Sequence, residues 1–238
     1  MKTQARIIAA AALLAGPVVY LTAEAISAAA WKNPTYSYTR DWLSDLGSTT
    51  RGVFQSRLID SPLHTVMNTG FILQGILYAA GTIALSRLLS GKLRTATAAI
   101  GGGVGLGYLL LGIFQGSQDA ADNGSLAWHF TGAGIAIIGA NVLALILGLH
   151  WWKNPETRGL GHASVPLGAL GILATIALRA TFNTAAPSGL IERIAVYPIA
   201  LWQIRVALEL LLRRQNIHTA APHHALTRSR ATRNRKHS

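Results

Sequence analysis

The chain contains no cysteine among its 238 residues, so disulfides, thiolate nucleophiles and cysteine-ligated metals are all excluded. Charge is scarce as well. Only 13% of the residues are Asp, Glu, Lys or Arg, against about 25% in an ordinary soluble domain. Acids are the rarer sign: 9 Asp and Glu stand against 21 Lys and Arg, giving a formal net charge of +12. No stretch shows the short alternating segments of a β-barrel, and no HExxH or GxSxG marks a hydrolytic centre. There is no basic stripe interleaved with stacking aromatics, which removes nucleic acid as a partner despite the net charge. The repeated halves and broken midplane helices of many transporters are missing too.

What is present is apolar sequence in long runs, with 50% hydrophobic residues and a mean hydropathy of +0.34. Six segments, about Ile7–Ala30, Pro62–Leu88, Ala96–Gly116, Leu126–His150, Ala163–Phe182 and Leu190–Leu212, reach the roughly 20 residues that a helix needs to cross hydrocarbon. The expected fold is all-α: a polytopic membrane protein whose residues 1–212 form a six-helix transmembrane bundle. Residues 213–238, basic and poor in apolar residues, are expected to form a disordered cytoplasmic tail. On anionic inner-leaflet lipid each basic residue of such a tail would contribute on the order of 1 kcal/mol.

The basic residues set the orientation. Lys2 and Arg6, Lys92 and Arg94, Lys153 and Arg158, and the tail from Arg213 and Arg214 onward all fall on one side if six helices alternate. That side is expected to be the cytoplasm, with both termini inside. The Ala, Gly and Arg richness fits a GC-rich bacterial genome, and the expected location is the inner (plasma) membrane. The first outer loop, Trp31–Asp60, mixes Lys32, Arg40, Arg51 and Arg57 with Asp41, Asp45 and Asp60, which suggests a structured segment. Residues 2–30 also have the basic start and small-residue end, Ala28-Ala29-Ala30, of a signal peptide. The run is longer than a signal core and holds Glu24 near its outer end, so a retained helix is expected.

The glycine run Gly101-Gly102-Gly103-Val104-Gly105-Leu106-Gly107 has fragments of a nucleotide-binding fingerprint but no preceding strand. Close helix packing through Gly103 and Gly107, and through Gly132 and Ala136, explains it better.

Ionisable and amide residues in lipid cost several kcal/mol, so their positions are informative. Glu24, His64, Asn68, Gln115, Asp119, Asp122, His129, Arg179, Asn183, Glu192 and Arg193 all fall at the outer boundary, under a loop that adds Arg40, Asp41, Ser44 and Asp45. One reading is structural: these residues lock the loop, with Gly47 supplying a positive-φ turn and Asp45 or Ser44 either capping that turn or receiving a hydrogen bond from Arg193. The other is a polar pocket for a lipid headgroup or a partner membrane protein, with Arg179 or Arg193 suited to phosphate. An enzymatic version would use Asp45, His64, His129 and Glu192 as an acid–base or metal site acting on lipid. Transport would need a polar route at the depth of Asn141 and Gln203. No cofactor is expected, and no metal set stands out.

The loop sequence Tyr36-Ser37-Tyr38-Thr39-Arg40-Asp41-Trp42-Leu43-Ser44-Asp45-Leu46-Gly47 resembles the signature of domain-of-unknown-function family 998, prokaryotic six-span membrane proteins. Asn68-Thr69-Gly70 with Gly75, His129, and Gly189-Leu190-Ile191-Glu192-Arg193 with Trp202 fit the same pattern in order. The resemblance implies six spans and a membrane location, and it implies no activity. A more remote similarity, in the Ser-Asp-x-Gly turn and the span count, is to eukaryotic six-span proteins linked to lipid remodelling, and concerns the fold alone.

Overall fold

The computed structural model describes residues 2–182, 184 and 186–219, with side chains as far as Leu212. Asn183 and segment 220–238 of the expected tail lie outside the described residues. The apolar runs form six long helices, each long and apolar enough to cross a membrane: α1 (Lys2–Ala30), α2 (His64–Ser86), α3 (Gly91–Ile113), α5 (Leu126–Trp152), α6 (Arg158–Ala180) and α7 (Ser188–Thr219). A short α4 (Gln118–Asp122) lies between α3 and α5. In lipid the backbone must satisfy its own hydrogen bonds, so an apolar run of this length has helix as its solution. Helices α1, α3 and α6 begin earlier than their hydropathy runs because Lys2, Lys92, Arg94 and Arg158 fit a helix end and can reach out of the apolar layer.

Each long helix packs antiparallel on the next, and α7 packs back on α1, closing a ring; α5 also touches α7. Small residues set the contacts. Gly81 meets Leu13 and Gly70 meets Ala23 between α1 and α2, while Gly75 meets Gly105 and Tyr108 between α2 and α3. At the α3–α5 contact a Cβ on Gly107 would lie 2.7 Å from the Ala136 amide nitrogen and 2.8 Å from the Gly132 carbonyl oxygen. Gly107, Gly132 and Ala136 therefore form the expected close approach. Gly103 does not join it: its Cβ direction is open space, because it sits on a face of α3 that no neighbour covers.

Mid-depth amides serve this packing. Gln74 donates to Gln203 at 2.7 Å between α2 and α7, and Asn141 on α5 donates to the Ala195 carbonyl of α7 at 3.0 Å. At the far end the Arg6 guanidinium donates to the Leu210 carbonyl at 2.7 Å, tying the start of α1 to α7.

The loop after α1 folds over one end of the ring, called here the cap end. It contains a 3-10 turn (Ser44–Gly47) and a hairpin of β1 (Arg51–Phe54) and β2 (Arg57–Asp60). The hairpin pairs Phe54 with Arg57 across two residues, Gln55 and Ser56, with φ of 47° and 64°. Positive φ at both central positions is the geometry that matches the strand twist in a tight hairpin. Thr50 Oγ1 accepts from the Gln118 amide at 2.8 Å, so α4 is fastened to the same cap.

Replacing Gly107 by Ala is expected to cost about 1–3 kcal/mol through overpacking, seen as a lower detergent melting temperature. Gly103→Ala, facing open space, should leave it unchanged or raise it. Equal losses from both would contradict this α3–α5 interface.

Candidate functional site

One side chain gathers several parts of the cap. Arg193, on the first turns of α7, is 4% exposed and has its guanidinium against the Glu24 carboxylate of α1, with Nε and Nη2 each 3.0 Å from Oε1. Its Nη1 donates to the carbonyls of Tyr38, Asp41 and Gly189 at 2.9, 3.2 and 3.0 Å, and Nη2 donates to the Tyr36 hydroxyl. Burial pushes the Tyr36 phenol well above its ordinary range, so it stays protonated and donates to the Trp42 carbonyl at 2.9 Å. The guanidinium carbon also lies 4.7 Å from the Tyr38 ring centroid, within cation–π range. Tyr197 donates to Glu24 at 2.9 Å. A buried charge pair persists only when its remaining donors and acceptors are satisfied, and here both helices and the loop supply them.

Of the two roles expected for Asp45, capping the turn and receiving Arg193, it takes the first: Arg193 pairs with Glu24 instead. The Asp45 carboxylate takes Arg57 from the hairpin in two-point fashion, Nε to Oδ2 at 2.7 Å and Nη2 to Oδ1 at 2.9 Å, and caps the turn by accepting the Trp42 amide at 2.9 Å. The hairpin brings Arg57 back over Asp45, while Glu24 occupies the position facing Arg193. Gly47 does not have positive φ either. It closes a 3-10 turn, and glycine is needed there because a Cβ would lie 2.3 Å from Asn68 Oδ1. The Asn68 amide instead donates to the Gly47 carbonyl at 2.9 Å, and Ser61 Oγ to the Leu46 carbonyl at 2.6 Å.

Beneath this cap lies a cavity of about 610 Å³. Its inner wall is buried and carries Tyr20, Phe71, Tyr108, Leu111, Val196 and the polar side chains of His129 and Glu192; Trp42, Leu43 and Ser44 form its roof. Apart from Ser44, every lining residue that is not buried belongs to α5, to α6 or to Phe182 just after α6: Phe130, Ala133, Gly134, Ile137, Thr175, Leu178 and Arg179. The cavity therefore reaches the surface of the bundle between these two helices. They are zipped together through Gly148, Gly161, Gly168 and Gly171 as far as Asn141, and diverge above it. At the cap side the rings of Phe130 and Phe182 meet edge-on at 6.3 Å, with Trp42 on Phe182 at 5.4 Å.

Of the four residues considered for acid–base chemistry, His129 and Glu192 share this cavity. The His129 Nδ1 lies 2.8 Å from the Phe114 carbonyl, which can only accept, so Nδ1 carries a proton and Nε2 is the ring nitrogen not engaged by it. Glu192 accepts the Leu43 amide at Oε2. Asp45 is consumed by Arg57, and His64 turns Nδ1 to the Ser61 carbonyl at 3.1 Å, off the cavity lining. Among the described residues no three His, Asp or Glu side chains gather to hold a metal.

Arg179 lines the mouth, and Ser44 the roof. Arg40 and Asp119 are exposed and outside this cavity. Asp41 accepts the Ser37 amide at 2.7 Å and shapes the loop; partial burial raises its carboxyl above the ordinary range. Sequence reasoning placed Glu24 in the outer layer without assigning its partner, and left Tyr36, Arg57, Tyr20 and Tyr108 out of the site. Glu24 carried a signal, a lone acid in an apolar run.

An end-capped ring of six apolar helices defines a multi-pass membrane protein. The sequence pattern of the family described as "Protein of unknown function (DUF998)" matches residues 13–209, and the chain belongs to that family. No curated protein and no solved structure matches it.

Arg193→Gln strands the buried Glu24 and should lower stability by about 3–5 kcal/mol, whereas exposed Arg40→Gln should stay within about 0.5 kcal/mol. Thermal unfolding in detergent measures both; a wild-type melting curve for Arg193→Gln would dismiss the lock.

Proposed function

We propose that the protein binds an amphipathic, lipid-like molecule in the capped cavity, taking it sideways from the bilayer between α5 and α6, on the extracytoplasmic side of a cytoplasmic (inner) membrane with both termini inside. The observation that carries this reading is the lining. A chamber of about 610 Å³ has the size of a small-molecule site, and its non-buried wall faces the lipid side of two spans rather than the water at the cap. The apolar majority of the lining suits acyl chain, and His129, Glu192, Ser44 and Arg179 suit a headgroup. The basic residues at the other end, Lys2, Arg6, Lys92, Arg94, Lys153 and Arg158, support the orientation.

A lipid-modifying enzyme is the second reading, favoured by one fact: His129, with Nδ1 engaged and Nε2 free, shares a cavity with a carboxylate. For transport, the supporting feature would be a polar path at mid-depth; there Gln74, Gln203 and Asn141 bond to one another and to backbone.

Gly134 lines the mouth and has nothing within 4 Å of its Cβ direction, so a side chain can start there and Gly134→Trp places its bulk in the opening. Native mass spectrometry of the purified full chain should find retained lipid on the wild type and loss of it from this variant, at unchanged melting temperature. Lipid-free wild-type protein, or equal retention by both, would reject the binding reading. A changed lipid mass that depends on His129 would favour the enzyme instead.

A further inference from the structure

The buried polar groups under the cap do not balance in charge. Three carboxylates, Glu24, Asp45 and Glu192, stand beside two guanidiniums, Arg57 and Arg193. The pairing leaves no ambiguity about which acid is left over. Arg193 is committed to Glu24 and to loop carbonyls, and Arg57 is committed to both oxygens of Asp45. Among the described residues no cationic side chain lies within 4.0 Å of Glu192. Its one hydrogen bond comes from the Leu43 amide. Yet Glu192 is only 7% exposed and forms part of the cavity wall.

An unpaired carboxylate in a dry site is costly and takes up a proton or a cation. The surroundings suit an organic cation. The cavity lining includes the aromatic rings of Tyr20, Phe71 and Tyr108, a residue type whose ring faces attract ammonium groups. Arg179 stands at the α5–α6 mouth, exposed and without an ion pair among the described residues. The order from bilayer to interior is thus acyl-compatible surface, then a free guanidinium, then a free carboxylate. A phospholipid entering by its headgroup presents the same order: chains, phosphodiester, terminal amine.

Resting on the binding reading above, we infer that the ligand is a zwitterionic aminophospholipid, its ammonium held by Glu192 and its phosphodiester by Arg179 at the mouth. Glu192 sets the preference for a positive headgroup. Arg179 contributes to any phospholipid, because a guanidinium recognises the phosphate and not the group beyond it. The inward direction of the amine follows from entry through the opening between α5 and α6.

The test uses the full chain in detergent and four probes: phosphatidylethanolamine, its N-acetylated form, phosphatidylglycerol of the same acyl chains, and chain-free glycerophosphoethanolamine. Retention is read by native mass spectrometry. Phosphatidylethanolamine is expected to be retained about tenfold more than the N-acetylated lipid or phosphatidylglycerol, as fits loss of one charge-assisted contact. Glu192→Gln can still accept the Leu43 amide, so the cap is kept; it should erase that preference while leaving general lipid retention. Arg179→Gln should lower retention of all three lipids. Equal retention of phosphatidylethanolamine and phosphatidylglycerol by the wild type overturns the ammonium inference and leaves lipid binding standing. So does a preference that survives in Glu192→Gln. Binding of glycerophosphoethanolamine as strong as that of the intact lipid overturns the lipid identity of the amine. Absence of any lipid from the wild type removes the binding reading itself. Should Glu192→Gln melt below the wild type, the N-acetylated probe on wild-type protein decides the same question without a mutation.

Discussion

The ion pair between Arg193 and Glu24 fixes the rest of the cap end. It joins the first long helix to the last, and so closes the ring where chain connectivity cannot. The same guanidinium gathers the Tyr38 and Asp41 carbonyls and the Tyr36 hydroxyl, so the loop after α1 is laid over the ring instead of extending from it. The geometry of Arg explains the choice of residue: a planar fork with five donors can satisfy a carboxylate and several carbonyls together, which a lysine ammonium cannot. With Arg193 occupied in this way, its neighbour Glu192 lines the cavity without an ion pair of its own among the described residues. Two consecutive residues on one helix thus divide the work, one holding the roof and the other furnishing the room below it.

The room exists because six helices in a ring have no seventh to fill their centre, and because the α5–α6 contact is tight over only part of its length. Where glycines allow the backbones to touch, up to Asn141 and Gly171, the two helices are sealed. Beyond that point the cavity lies between them, lined by Ala133, Gly134 and Thr175, and the rings of Phe130, Phe182 and Trp42 meet at the cap.

The six spans were legible because a membrane helix is encoded by composition over a long window, which single residues do not disturb. The depth of the polar layer was legible for the same reason: charge position follows from span position. The partners within the layer were not. Hydropathy places Arg193, Asp45 and Glu24 at one level, but which pair forms depends on the path of the loop, and that path depends on a hairpin with no Asn-Gly or Asp-Gly at its turn. Gln55 and Ser56 adopt positive φ there without the residues that usually announce it. Gly47 was rightly singled out as a residue intolerant of a side chain, but the cause was the Asn68 amide pressed against it and not its own torsion. Local sequence reports φ preferences and says little about what approaches from another helix. Gly103 and Gly107 make the same point: spacing four apart marks a face, and only the neighbour decides which member of the face is used.

The lock also has a consequence for biogenesis. Glu24 and Arg193 are 169 residues apart in sequence, so during N- to C-terminal synthesis the acid of the first span is made long before its counterion. Until the last helix arrives, that carboxylate must be neutralised by a proton, sit at the headgroup level, or be shielded by the insertion machinery. The roof over the chamber can set only after α7 is inserted, which makes insertion of that helix and closure of the cap a single event.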